Sequence, residues 1–480
     1  MINVQTKIHD KFSVEFKMSF EGSSAPQRAN FDVNTWIFIP NSLDINRATY
    51  DKTQFYRDMK SNVRLITPDF TLDQIVGEGA IPYQNLKNAL EQVKSNAPGA
   101  DSELEFQLKL FGAIFKSADR DNSKSLSDRA DDELIYELCA VYVDKIREIL
   151  TAYRGLMASA EEIHKSSFEF VDEFMSHQVE IRALKIIKAI DEQIQTADKS
   201  VLHSARELLI QMLHEERNYK VSRNYSHSVV DDSSHNRELL YRHSMLKKYV
   251  ESVLYLRVNT KEDGKAVRQM SFGLAAGFAM ILSTLVALPF QRHLGNYPSL
   301  IFIILVLAYM LKDRVKDLTR NIFAYRLKNR YFDTKTVISI QDKEIGWIKE
   351  GMDFISDDKV PEEVIRLRDR SNLEADNTLF EEKIILYRKK VFVDNEELHA
   401  HNDYDFTGIN DIMRFHIQTM TSKMDNPSTS IDCLDEKGLL RKTEAERVYT
   451  LYFVMQFRYD DQSEYKIVKV VANRDGILSL

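Results

Sequence analysis

The chain has 480 residues, of which 44% are hydrophobic and 29% charged, so it is long and apolar enough to bury the cores of two or three domains. Its formal net charge of −8 at pH 7 makes free nucleic acid a poor partner. The two cysteines, Cys139 and Cys433, lie far apart and show neither metal-ligand nor disulfide spacing, which suits a reducing compartment.

The first 70 residues predict a small N-terminal β element. Apolar residues alternate with polar ones from Phe12 to Phe20, a pattern typical of a strand with one buried face. The continuous apolar run at 36–39 predicts a second, more buried strand, which Pro40 ends. A short helix is expected over residues 53–62.

Residues 71–266 predict an antiparallel helical bundle in the cytoplasm. Its clearest seam runs from Ile135 to Ile163, where apolar residues recur every three or four positions. A bundle that buries its own seams is the simpler interpretation. An intermolecular coiled coil is the alternative.

Within this bundle, residues 119–131 (DRDNSKSLSDRAD) resemble a calcium-binding loop between two helices. The first ligand positions would be taken by oxygen-bearing side chains, namely Asp119, Asp121 and Ser123. Lys124 stands where the sharp turn needs glycine, and Ala130 stands where a bidentate glutamate would close the site. The sequence therefore predicts a weak metal site at most, with a polar connector between helices as the alternative.

The stretch 267–312 predicts a transmembrane helical hairpin. Residues 271–290 carry no charge, and a helix of that length covers about 30 Å, the thickness of a hydrocarbon core. The second apolar run, 298–311, is shorter, so a buried or re-entrant segment is the alternative to a second crossing. The absence of ionisable residues from both runs argues against an ion or proton pathway.

Small residues gather on one side of the first membrane helix, where they would let another helix approach closely. The predicted packing residues are Gly273, Gly277, Ala279, Ser283 and Ala287. The partner is either the bulky second helix of the same chain or the same face of a second protomer. A homo-oligomer is therefore one expectation.

Basic residues flank the hairpin on both sides, whereas the turn between its helices carries Arg292 alone. The residues predicted to contact lipid headgroups follow the second run: Lys312, Arg314, Lys316 and Arg320. Because lysine and arginine are retained on the cytoplasmic side, we expect a two-span protein of the cytoplasmic membrane with both flanking domains inside.

Residues 313–480 predict a cytoplasmic, mainly antiparallel β domain. Its clearest strand covers 449–459, and a turn at 460–463 leads into a partner strand. Earlier in this domain, alternate positions of one segment carry His399, His401 and Asp403. These side chains could form a weak site for a divalent metal, but no second motif of matching spacing supports it, and an exposed polar loop between strands is the simpler interpretation.

The expected fold class is an α+β membrane protein. A small N-terminal β element and an antiparallel helical bundle precede a two-helix transmembrane hairpin and a C-terminal, mainly antiparallel β domain. The sequence contains no nucleophile elbow, P-loop or dinucleotide-binding motif. No catalytic residue and no cofactor is therefore expected, apart from the weak metal sites.

Three functions agree with these patterns. The first is a membrane-anchored, non-enzymatic interaction or sensor protein with an unidentified protein partner. The second is a membrane-perturbing, pore-forming effector of a bacterial defence or toxin system, assembled through the small-residue face. The third is a membrane-tethered, metal-dependent hydrolase that uses the acidic or histidine-rich segment. The lipid bilayer is a partner in all three, and nucleic acid in none.

Overall fold

A computed structural model describes residues 2–21, 28–131, 133–160, 162–195, 200–293, 298–328, 332–340, 343–369, 382–399, 404, 406–459 and 462–480. The chain divides into two compact units. The β unit comprises residues 1–63, 257–397 and 410–480, and the helical unit comprises residues 64–256 and 398–409. A mixed α and β protein with a helical region and large antiparallel sheets is therefore confirmed.

The strands are β1 (Ile2–Asp10), β2 (Ser13–Glu21), β3 (Arg28–Pro40), β4 (Met59–Leu65), β5 (Arg257–Glu262), β6 (Thr334–Ile340), β7 (Lys343–Ile355), β8 (Glu382–Asp394), β9 (Gly408–His416), β10 (Ser428–Leu434), β11 (Leu440–Glu446), β12 (Tyr449–Tyr459), β13 (Gln462–Asn473) and β14 (Gly476–Ser479).

The α-helices are α1 (Lys52–Asp58), α2 (Ile81–Lys94), α3 (Ala100–Asp128), α4 (Ile135–Ala158), α5 (Glu162–Ile194), α6 (Ser200–Ser222), α7 (Ser233–Glu251), α8 (Lys265–His293), α9 (Pro298–Lys328), α10 (Glu362–Arg368), α11 (Asn395–His399) and α12 (Gln418–Thr421). Short 3-10 turns lie at Asn41–Leu43, Leu72–Gln74, Ser252–Leu254 and Asp357–Lys359.

The β unit contains an eight-stranded antiparallel sheet in the order β14-β13-β12-β3-β8-β7-β6-β5 and a four-stranded sheet in the order β1-β2-β9-β4. The sequence predicts that the N-terminal strands form a separate element. This is wrong, because they share both sheets with strands from the C-terminal part of the chain. In β3, Trp36 lies opposite Val454 of β12 on one side and Leu386 of β8 on the other. The apolar run of β3 explains this position, because a central strand with both faces covered needs apolar residues in succession.

The two sheets pack face to face through aromatic side chains. The ring of Phe453 in β12 lies 5.3 Å from that of Phe16 in β2 and 5.7 Å from that of Phe415 in β9. The alternating residues of β2 and β12 provide this face, so both predicted strands are confirmed. On the opposite face of the large sheet, Val364 of α10 packs into a cluster with Trp36.

The helical unit buries the predicted seam along α4, whose buried side chains include Ile135, Tyr142, Ile146, Ile149 and Tyr153. The seam ends earlier than predicted, because α4 stops at Ala158 and Ile163 at the start of α5 is 79% exposed. The ring of Tyr153 stacks on Phe111 of α3 at 5.4 Å. The helices of this unit therefore bury their seams against one another.

Candidate functional site

The helices α8 and α9 form a hairpin inserted at the edge of the eight-stranded sheet. The strand β5 leads into α8, α9 returns to β6, and β5 pairs with β6 from Arg257 opposite Ser339 to Glu262 opposite Thr334. Among the described elements, the extensive packing of each of these helices is with the other. The helical hairpin is therefore an appendage of the β unit and leaves the ladder of the sheet intact.

The seam between α8 and α9 uses only part of the predicted small-residue face. Ala279 is fully buried, and the hydroxyl of Ser283 donates a hydrogen bond of 2.9 Å to the backbone carbonyl of Ala308. Gly273 and Gly277 lie elsewhere on α8, and a Cβ built at either would meet no atom of the described residues within 4 Å. The side chain of Ala287 lies outside the described residues.

Large apolar side chains point outward from both helices of the hairpin. Leu274, Phe278, Ile281 and Leu285 on α8 are 53–63% exposed. Phe302, Leu307 and Met310 on α9 are 58–68% exposed. A helix that is apolar all round normally lies within a protein core or a membrane. No described residues outside the hairpin pack extensively over these outward side chains.

One helical segment among the described residues, Lys265–Leu285, is long and apolar enough to cross a membrane, judged by length and composition. The core helix of a soluble protein meets the same criterion, but here only 18% of the apolar window is buried. A second crossing over 298–311 includes side chains outside the described residues and stays a prediction. The same holds for the side of the membrane on which each unit lies.

The residues predicted to contact lipid headgroups lie on α9 beyond its apolar run. The ammonium of Lys312 lies 3.9 Å from the ring centroid of Tyr309. The guanidinium of Arg320 lies 4.4 Å from the ring of Phe272 on α8. Arg314 and Lys316 belong to the same basic end of the helix. These contacts place cations and aromatic rings together at one end of the hairpin, as at a membrane interface.

The predicted calcium loop is wrong, because α3 continues without a break to Asp128. Asp119 is fully buried and accepts a hydrogen bond of 2.8 Å from the hydroxyl of Tyr142. Asp121 pairs with Arg120 at the surface, and the hydroxyl of Ser123 donates to the carbonyl of Arg120. In a helix Asp119 and Ser123 share the buried face, whereas the side chain of Asp121 points to solvent, so the three cannot converge on one ion.

Burial raises the pKa of Asp119 to about 7, although the hydroxyl of Tyr142 and the charge of Arg182 act in the opposite direction. The described part of the chain holds no cluster of three or more His, Cys, Asp or Glu side chains suited to a metal. His401, Asp403 and the side chain of His399 lie outside the described residues, so this second metal site stays a prediction.

The structure reveals a polar cleft of about 740 Å³ in the β unit that the sequence does not predict. The hydroxyl of Ser13 lies 3.0 Å from Nδ1 of His416, whose Nε2 lies 3.0 Å from the amide oxygen of Gln418. Asp58 accepts hydrogen bonds of 3.0 Å from Tyr50 and Thr419. Ser13 and His416 are 403 residues apart, so no local pattern could connect them.

Ser13 is only 6% exposed, and its hydroxyl lies within hydrogen-bond distance of the His416 ring at the wall of this cleft. Its walls also carry Arg57, Lys60 and Arg414. The cleft therefore offers polar and charged groups to a ligand.

A cluster of buried charges joins the two sheets of the β unit. Lys389 of β8 and Asp411 of β9 are fully buried and form an ion pair, and Glu350 of β7 lies 3.1 Å from the same ammonium. Burial alone would lower the pKa of Lys389, but the two carboxylates outweigh it and raise this pKa above its usual value. Each charge has a partner, so the cluster serves the fold.

Function must be inferred from this geometry. Comparison of the chain with protein-family models, with curated proteins and with solved structures gave no match.

Proposed function

We propose that the protein is a membrane-anchored, non-enzymatic interaction or sensor protein. The α8–α9 hairpin holds it in the cytoplasmic membrane, and the β unit and helical unit lie in the cytoplasm. The observation that carries this proposal is the outward exposure of Leu274, Phe278, Ile281 and Leu285 on α8. Full burial of one such side chain stabilises by about 1.5–3 kcal/mol, and somewhat more than half of each is still exposed, so the four together favour a lipid environment by roughly 4–7 kcal/mol.

The attachment of the hairpin supports a two-span topology. Since β5 and β6 are paired neighbours, the chain enters α8 and leaves α9 at adjacent points of one sheet. Two crossings would return the chain to the compartment it left. The basic end of α9, from Lys312 to Arg320, then lies on the cytoplasmic side, where lysine and arginine are retained.

Membrane extraction tests the anchor. The full chain is expressed, and its membranes are washed with alkaline carbonate. We expect the wild type to stay in the pellet and the triple variant Leu274→Lys, Ile281→Lys, Leu285→Lys to be released, because lysine at mid-bilayer is strongly disfavoured. Wild-type protein in the supernatant would contradict the proposal.

The matched control places the same three changes on the exposed β10–β11 hairpin, at Ile431, Leu434 and Leu440, which are 49–71% exposed. This control should remain in the pellet. Release of both variants would show that added charge, and not the position of the charge, decides the outcome.

Labelling of cysteines in intact cells tests the topology. The free thiol of Cys433 is exposed and that of Cys139 is buried, so Cys433 reports on the side that holds the β unit. A membrane-impermeant maleimide should label an Asn296→Cys variant from outside and should leave Cys433 unlabelled until the cells are opened. Labelling of Cys433 in intact cells would refute the cytoplasmic placement.

The open face at Gly273 and Gly277 favours a second candidate, a membrane-perturbing effector assembled through α8. Small residues permit close approach of a second helix, and no atom of the described residues lies within 4 Å of a Cβ built at either position. We expect the purified chain to release dye from vesicles, and Gly273→Leu with Gly277→Leu to suppress the release. Gly155→Leu on α4, also at an open position, is the control. Absence of leakage from wild type would leave the interaction protein as the proposal.

A further inference from the structure

The helical unit contains a groove of about 420 Å³ between α3 and α5, here called the α3–α5 groove. Side chains one helical turn apart line each wall. The charged residues of the lining are Arg120, Lys124, Arg182, Lys185, Lys188 and Glu192. Five cations thus face one carboxylate, in a protein whose net charge is −8. Such a local excess of positive charge attracts anions against the overall charge of the chain.

Three of these five cations have no ion-pair partner among the residues that the structure describes. Within the described part of the chain, Lys124, Lys185 and Lys188 have no carboxylate at ion-pair distance, and each is exposed. Arg120 is the exception, because its guanidinium pairs with Asp121 at 2.8 Å. Like charges on neighbouring helical turns repel, and a bound anion would relieve this repulsion.

Arg182 lines the groove and adds a guanidinium to its α5 wall. Its Nε is buried and makes no hydrogen bond to any described residue. The carboxylate of Asp119 lies near enough to interact electrostatically with this guanidinium, and its Oδ2 is also buried without a hydrogen-bond partner. The electrostatic interaction with Asp119 favours a fixed position of this guanidinium, whose Nε–H has no hydrogen-bond partner among the described residues.

The chemistry of the lining suits phosphate groups. Guanidinium groups bind phosphate oxygens in pairs, and ammonium groups add point charges without strict geometry. The hydroxyls of Ser123 and Ser127 donate to backbone carbonyls, so the arginine and lysine side chains are the donors of this lining. Ala189 is the single apolar residue of the lining, so an apolar ligand would find little contact.

We propose that the α3–α5 groove binds a small ligand carrying two or more phosphate groups, held between Lys124 on α3 and Arg182 and Lys185 on α5. The same chemistry is offered by a soluble phosphate ester and by the headgroup of a phosphorylated lipid. The inference names a ligand class for the proposed sensor role, and it stands separately from the membrane anchor because soluble probes test it without a bilayer.

Calorimetry with the purified full chain in detergent tests the site, with tripolyphosphate as probe. We expect saturable binding that weakens as salt is added, because exposed charges are screened. Lys124→Gln with Lys185→Gln should weaken binding at least tenfold, since both changes remove unpaired cations. The control Lys247→Gln with Lys248→Gln on α7 removes the same charge from exposed positions of the same unit and should bind as wild type.

Vesicles of phosphatidylcholine with and without phosphatidylinositol bisphosphate separate the two sources of phosphate. If added lipid bisphosphate displaces tripolyphosphate from the wild type, the headgroup competes for the same groove. If ATP displaces it and the lipid does not, the ligand is a soluble ester. Failure of tripolyphosphate to bind, or equal weakening in the groove and control variants, would overturn the proposal whatever the outcome of membrane extraction.

Discussion

Asp119 gives the sharpest test of how burial acts in the helical unit. Its side chain is fully buried in α3, with one oxygen accepting from Tyr142 and the other lacking a hydrogen-bond partner. Replacing it by asparagine keeps an acceptor for Tyr142 and removes the charge. We therefore expect Asp119→Asn to stabilise the protein at neutral and alkaline pH.

The magnitude follows from the shifted pKa. Burial raises the pKa of Asp119 from 3.8 to about 7. A difference of about three pKa units between the folded and unfolded states is worth about 4 kcal/mol. The folded state binds the proton more tightly, so this stability is present below about pH 4 and is lost as the pH rises to about 7. The new amide leaves one buried donor unpaired at a cost of about 1–3 kcal/mol, so the net gain at pH 8 is about 1–3 kcal/mol.

Urea unfolding of the full chain in detergent, followed by circular dichroism at about pH 5 and about pH 8, measures this effect. The gain from Asp119→Asn should be present at the higher pH and should shrink or reverse at the lower. Asp121→Asn, at an exposed position of the same helix, should change stability by less than about 0.5 kcal/mol at either pH. A variant of Asp119 that is most destabilised at the higher pH would refute the reasoning, because ionised Asp119 would then be a stabilising group.

Two further predictions concern other ionisable groups that lie wholly or partly out of contact with solvent. Asp411→Asn should destabilise the β unit by about 3–5 kcal/mol, because it leaves Lys389 buried without its main partner. Adding Lys389→Met to this variant should recover part of the lost stability. If the effects of the two substitutions on the free energy of unfolding are additive, the two side chains are not coupled and the prediction is wrong. Burial, followed by the charges of His177 and Lys220, lowers the pKa of His243 from 6.5 to about 3. Stability should therefore fall as the pH drops from about 6.5 towards 3, and His243→Gln should flatten this slope; an unchanged slope in denaturant titrations would count against it.

The sequence by itself determined the elements whose periodicity is local. Apolar and polar residues alternate along β2 and β12, and this pattern predicts a strand with one buried face from a few neighbouring residues alone. The long apolar run of α8 and the regular spacing of apolar residues along α4 likewise predict these two helices from the local sequence. The small residues of α8 indicated a packing face, but only the structure shows that Ala279 and Ser283 face α9 while Gly273 and Gly277 do not.

Only the tertiary structure decided which distant segments share a sheet, a cleft or a groove. The strand β3 lies between β8 and β12, more than 300 residues further along the chain, because burial of both its faces requires neighbours that no local pattern names. Residues 119–128 continue the helix α3 and do not form a loop. Within it, the buried carboxylate of Asp119 accepts a hydrogen bond from Tyr142 on α4, a partner that the local sequence does not indicate. Lys124 and Lys185 form one groove because α3 packs along α5. The local periodicity of apolar residues determines which face of each helix or strand is buried. Which of these faces pack against each other depends on the whole chain.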